Sequence, residues 1–228
     1  MDAAAMPERS MVAPARRRGL ADEVADRVRE AIFSGSYAPG TQLREVELSL
    51  ALDVSRGPVR EALIRLEREG LVRTGWHRGA TVTSLSPDDI AEIDSLRGAL
   101  EELAVQSLIT RASDEDITAI ERAAEKMQRV SDDHDMVSCD IAFHDAVYAA
   151  ARHRRLQDAW FAIRSQVQLF LLSRIGVDNR GYVQHVRDEH RDLVSALRAR
   201  DADSALALFA AHRRHAFDIV SGAPLPRS

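Results

Sequence analysis

With 228 residues, 45% hydrophobic and 29% charged, the chain has room for two small domains that each bury a core, and its composition excludes a fibrous or disordered protein. The single cysteine, Cys139, excludes an internal disulfide framework and fits a reducing cytoplasm, and no apolar run approaches the ~20 residues of a membrane span. The net charge of −5 is unevenly spread: residues 1–85 carry 13 arginines against 12 acidic residues, residues 86–228 carry 18 basic against 24 acidic ones. A locally basic half is thus concealed in an acidic chain, as expected for two modules with different partners.

Residues 1–19, with Ala, Pro and the run Arg16-Arg17-Arg18, lack the apolar core of a signal peptide and read as a disordered arm. Those arginines suit phosphate contacts, and they equally suit a solvated tail. Leu20, Val24, Val28, Ala31 and Ile32 mark one face of a helix from Leu20 to Phe33, which Gly35, Pro39 and Gly40 break. A second helix is expected from Arg44 to Leu52. A tight connection through Asp53 and Val54 then leads to Ser55, a suitable N-cap, and a third helix from Arg56 to about Gly70, with Pro58 in its first turn. Leu71-Val72-Arg73 and Ala80-Thr81-Val82-Thr83, around a glycine-bearing turn, read as a hairpin. Three helices followed by a hairpin is the order of a winged helix-turn-helix, placed at residues 20–84.

Ser86-Pro87-Asp88-Asp89 has the cap and acidic first turn of a new helix. From there the periodicity is helical throughout, with segments at about 87–111, 113–130, 135–151, 154–175, 179–200 and 202–221. The fold class expected is mainly α: the winged helix, then an all-α bundle over 85–222 and a tail at 223–228.

A helix that reads the major groove needs base-reaching side chains at its N-terminal end and phosphate partners around it. Arg56 and Arg60, four apart, share one face of the third helix, while Val59, Ala62, Leu63 and Leu66 supply the opposite, packing face. Ser55, Arg56, Gly57 and Arg60, with Arg44 before them and His77, Arg78 and Gly79 at the hairpin tip, are the candidate DNA contacts. A solvated basic face has the same charge pattern, but not the order helix, turn, helix, wing.

The acidic half concentrates possible metal ligands. Asp140 and His144 are i and i+4 on one helix, and His190 and His212 each lie 11 residues from a turn near Asp201, so an antiparallel hairpin sets them at one height. One carboxylate and three imidazoles suit zinc, nickel, manganese or iron. Hydrogen-bonded core histidines have the same spacing. The remaining histidines show no matching register, and His185 is expected to face away from His190. Arg97, four before Glu101, is a candidate clamp for an organic anion or a salt-bridge partner; Arg164 and Gln168, a polar pair on an apolar helix, line a cavity or a solvated face. No nucleophile triad or phosphate-binding glycine loop suggests an enzyme.

Pro39-Gly40-Thr41-Gln42-Leu43, Val54-Ser55-Arg56-Gly57-Pro58-Val59-Arg60-Glu61-Ala62-Leu63, Leu66-Glu67-Arg68-Glu69-Gly70-Leu71-Val72 and Arg78-Gly79-Ala80-Thr81-Val82 closely resemble the GntR superfamily of transcription regulators. Leu96-Arg97 with Glu101, Asp140-Ile141-Ala142-Phe143-His144, Glu189-His190 and His212 resemble the FCD-type domain of its FadR-like branch, and six helices resemble the shorter VanR-like group. The resemblance implies a cytoplasmic homodimer, acting as a repressor on a pseudo-palindromic double-stranded operator. It implies a divalent metal on Asp140, His144, His190 and His212, and a small carboxylate effector. It also implies base or phosphate contacts for Arg56 and Arg60. Val46 stands where relatives often carry an arginine between Glu45 and Glu47, and Gly57 where they carry a hydroxyl, so the operator is expected to differ from the family's usual one.

Overall fold

The computed structural model describes residues 19–75, 79–177 and 181–221. Helix α1 (Leu20–Phe33) turns Val24, Ala25, Val28 and Ile32 inward. Strand β1 (Gln42–Leu43) follows, then α2 (Glu45–Ala51) and α3 (Arg56–Arg68), which buries Val59, Ala62, Leu63 and Leu66. Asp53, at φ 53°, makes the sharp turn between α2 and α3, a conformation that Asp tolerates better than most residues. Ser55 precedes α3 in extended conformation but its side chain makes no capping hydrogen bond, so the expected cap is positional only.

Strands β2 (Val72–Gly75) and β3 (Gly79–Val82) pair antiparallel, Val72 opposite Val82 and Thr74 opposite Ala80. The expected hairpin gains a third member: β1 pairs with β3 through Gln42–Thr81 and Leu43–Ala80, giving the order β1-β3-β2. Two residues are too short to show an alternation, which is why β1 was invisible in the sequence. Ala80, Val82, Leu43 and Val72 close this core from below.

Helix α4 (Pro87–Arg111) starts on the Ser86 cap: Ser86 Oγ accepts from Asp89 N–H, and the Asp89 carboxylate accepts from Ser86 N–H. Then come α5 (Asp114–Met127), α6 (Asp133–Ala150), α7 (Arg154–Val177), α8 (Tyr182–Ala199) and α9 (Ala202–Ser221). These six helices share a second core around Phe143, Tyr148, Trp160, Phe170 and Phe209, and their bounds fall within three residues of the sequence expectation.

The two cores meet on α7. Its Trp160, Ile163, Val167 and Phe170 belong to the bundle, whereas Leu169 is buried among the winged-helix residues. Beside it Glu69 accepts from Arg29 at 2.6 and 2.8 Å and from Ser165 Oγ at 3.3 Å. Arg73 of β2 also reaches Asp89 at the start of α4, at 3.1 Å.

Candidate metal centre and nucleic-acid interface

Asp140 and His144 stand one turn apart on α6, and His190 of α8 and His212 of α9 meet them from across the bundle. All four are at most 5% exposed, and one donor atom from each lies within 4.8 Å of every other. Three Nε2 atoms converge on one carboxylate oxygen: Asp140 Oδ1 lies 3.2 Å from His144, 3.1 Å from His190 and 4.0 Å from His212. Burial works against the Asp140 charge, but contact with the His144 and His190 rings holds its pKa well below the usual carboxylate range.

The outer ring nitrogens settle where the protons are. The Val186 carbonyl can only accept, so His190 Nδ1 donates to it at 2.8 Å. His212 Nδ1 donates to Glu189 Oε2 at 2.8 Å. At His144 the Arg97 guanidinium can only donate, so Nε2 accepts from Nη2 at 2.8 Å, which leaves the proton on Nδ1, 3.3 Å from Glu101 Oε1 but without a hydrogen-bond partner. Wherever one of these rings is neutral, its Nε2 therefore presents a lone pair to the ionised carboxylate. Acceptors face acceptors there, and only a ring proton or a cation relieves them.

Burial and the Arg97 charge push His144 down to about 4, so that ring stays neutral. Burial opposes charge at His212 too, but Glu189 outweighs it and raises the pKa. Three imidazoles and one carboxylate fit a divalent ion, with Val186 O and Glu189 fixing the His190 and His212 rings from behind.

Arg97 donates to Glu101 Oε1 at 2.8 Å, both side chains nearly inaccessible. Burial disfavours the guanidinium charge, yet Glu101 and Asp140 more than restore it and its pKa is raised. Arg97 Nη1, Glu101 Oε2 and the Tyr148 hydroxyl remain buried without a hydrogen-bond partner. A cavity of about 400 Å³ between α4 and α9, lined by Gly98, Glu101, Phe209 and Arg213, reaches this group from the surface. Arg164 and Gln168 are elsewhere. Arg164 clasps Asp145 at 2.8 Å, and the pair lines a cavity of about 460 Å³ between the domains, with Arg29 and Phe33 of α1 and His134 of α6.

On the winged helix, Arg56 and Arg60 share one anchor. Glu45 accepts from Arg56 Nη2 at 3.1 Å and from Arg60 Nε and Nη2 at 3.1 and 3.0 Å. Both guanidinium groups are about 60% exposed. Arg44 is exposed and paired with Glu47 at 2.8 Å. Ser55 and Gly57 are exposed beside them, and a Cβ on Gly57 would meet only open space. These arginines and Gly79 line one concave face of about 700 Å³. His77 and Arg78 lie outside the described residues.

Two features escaped the sequence. Glu189 points away from the four ligands by helix angle, yet it crosses to His212 on the next helix. His185 and His215 do have a register: they lie 16 and 14 residues from Asp201, and their ring centroids are 4.1 Å apart. That comparison of distances from the α8–α9 turn was open to the sequence reading.

Residues 20–82 match the family described as bacterial regulatory proteins, gntR family, and residues 92–215 match the FCD domain. The gluconate operon transcriptional repressor of Bacillus licheniformis is 28% identical over 206 residues, covering 87% of this chain and 82% of that protein. A protein of Paenarthrobacter nicotinovorans, named as a probable D-xylose utilization operon transcriptional repressor, is 30% identical over 195 residues, 83% of each chain. A solved GntR transcriptional regulator from Rhodococcus sp. RHA1 superposes with a TM-score of 0.77 at 25% identity, covering 90% of this chain and 98% of the other. The chain belongs to the GntR family of transcription regulators, with an FCD domain following its DNA-binding head.

Proposed function

We propose that this chain is a metabolite-responsive repressor that binds a pseudo-palindromic operator as a cytoplasmic homodimer. Its DNA affinity is set by a small organic acid bound at a divalent-metal centre in the helical domain. The observation that carries the reading is the set of three imidazoles, two of them anchored through Nδ1, whose Nε2 atoms surround the buried Asp140 Oδ1. Asp140, His144, His190 and His212 would hold the ion, which supplies an open coordination position for a carboxylate. The His144 Nε2 lone pair cannot serve Arg97 and an ion together. Arg97 Nη2 is then released, and with the unpartnered Nη1 it offers a two-pronged donor to the same carboxylate. The Tyr148 hydroxyl supplies a further donor. Arg164 and Gln168, at the domain junction, have the place of residues that feel the effector through Asp145, the neighbour of His144.

The dimer reading is supported by Leu96 and Leu103, two turns apart on α4 and 48% and 41% exposed, an apolar stripe left uncovered in one chain. Two copies would present two α3 helices, with Arg44, Ser55, Arg56, Gly57, Arg60 and the wing residues His77, Arg78 and Gly79 at the DNA. The head is clasped to α7 through Glu69 and Leu169 and to α4 through Arg73 and Asp89. A shift of α6 at the metal centre, passed to α7 through Asp145 and Arg164, therefore moves the head, and the spacing of two heads in the dimer changes with it. Residues 83–87 are the hinge. The two named relatives are repressors, one of a gluconate operon, in keeping with an acid as effector.

The test is a thermal-shift screen of metal-loaded protein against small mono- and dicarboxylates, repeated after chelation and followed by operator binding at fixed salt. The expected result is one acid that stabilises only the metal-loaded protein and changes operator affinity. No acid shifting either form would leave a constitutive regulator with a structural metal.

A further inference from the structure

We infer that His185, Glu189 and His215 form a second divalent-cation site, solvent-facing and one helical turn outside the buried centre. One donor atom of each lies within 4.8 Å of the other two. His185 and Glu189 are one turn apart on α8, with Nε2 and Oε1 2.9 Å apart. His215 comes from α9, its ring centroid 4.1 Å from that of His185 at an interplanar angle of 44°. A surface ion pair explains His185 with Glu189 but not the approach of a second imidazole to the first. A shared cation between the two rings satisfies both lone pairs.

Two imidazoles and a carboxylate suit a borderline ion such as zinc, nickel or copper(II), with water completing the shell at this half-exposed place. Such an ion exchanges more readily than one in the buried centre. Glu189 joins the two sites. Its Oε2 holds His212 Nδ1 at 2.8 Å while its Oε1 faces His185. An ion on Oε1 polarises the carboxylate that orients a ligand of the buried ion, a linkage that rests on the buried centre proposed above.

The experiment is zinc titration of chelator-stripped, full-length protein at neutral pH, with bound zinc counted by elemental analysis after equilibrium dialysis. Folding of every variant is checked by circular dichroism. Wild type should hold about two zinc ions per chain, one tight and one weaker. His185→Gln with His215→Gln should lose the weaker ion alone, and His144→Ala the tight one alone. Glu189→Ala should lose the weaker ion and loosen the tight one by about 10- to 100-fold. One ion per chain, indifferent to the double histidine variant and lost with His144→Ala, overturns the outer site and leaves the buried centre standing. One ion lost with the double variant and indifferent to His144→Ala supports the outer site and overturns the buried one. No zinc in any form overturns both.

Discussion

The molecule carries two clusters of charge that differ in their access to water. On the head, a partly exposed Glu45 gathers Arg56 and Arg60, whose guanidinium groups are open to solvent. In the bundle, Arg97, Glu101, Asp140 and three histidines lie together at most 5% exposed. Ion pairs of the first kind contribute little to stability, because water screens them and both side chains keep other options. That suits a surface whose arginines must leave a carboxylate for a nucleic acid. Pairs of the second kind hold geometry at high cost, since removing one partner leaves the other charged and dry. Wet charges suit a surface that exchanges partners; buried ones suit the coordination geometry proposed for the bundle.

The comparison is tested most severely at Glu101. Glu101→Ala strands the Arg97 guanidinium in the core and should cost about 3–5 kcal/mol of folding stability, read from a urea titration. A cost below about 1 kcal/mol would mean that water reaches the pair and the contrast with the head is false. For the same reason Arg97→Ala is a poor probe of effector binding. Arg97→Ala combined with Glu101→Gln removes the clamp without leaving a lone carboxylate, and should weaken the acid response while metal content stays.

Metal removal comes next in size. An ion held at a thousandfold excess over its dissociation constant stabilises the fold by about 4 kcal/mol. Chelation should therefore lower Tm by several degrees in wild type and by much less in His190→Ala, which lacks the buried ion. Equal shifts in the two proteins would place the ion elsewhere.

On the head the effect should move from stability to binding. Arg60→Ala removes a candidate guanine contact and should weaken operator binding about ten- to a hundredfold. Its Tm should stay close to that of wild type, because the side chain is 61% exposed and its ion pair with Glu45 lies at the surface. A large fall in Tm would make Arg60 part of the fold instead of the interface.

How much of this could be read beforehand differs between the two regions as well. Helix bounds were legible because apolar periodicity and caps such as Ser86 are local. The convergence of Asp140, His144, His190 and His212 was legible because an i, i+4 pair and equal distances from one turn survive as spacing. Glu45 as the common anchor of Arg56 and Arg60 was not, since it lies 11 and 15 residues away on another helix whose crossing angle no spacing encodes. The clasp of Glu69 on Arg29 and Ser165 was hidden likewise, joining residues 40 and 96 apart. Local patterns specify elements; contacts between domains are properties of packing.

The smallest expected effect lies at that junction. Gly70 ends α3 with φ +73°, Leu71 N–H bonding Leu66 O and Gly70 N–H bonding Glu67 O at 2.9 Å each, a closure that needs a left-handed residue. A Cβ there would come within 2.6 Å of the Gln166 side chain on α7. Gly70→Ala should cost about 1–2 kcal/mol from the backbone alone, with the Gln166 contact adding little because that side chain can swing aside. Adding Gln166→Ala should therefore recover only a minor part of the loss in thermal unfolding. Full recovery would make the seat of the head on α7, and not the turn that ends α3, the constraint that selects glycine. The junction would then be as tightly packed as either core, and the two regions would move as one body.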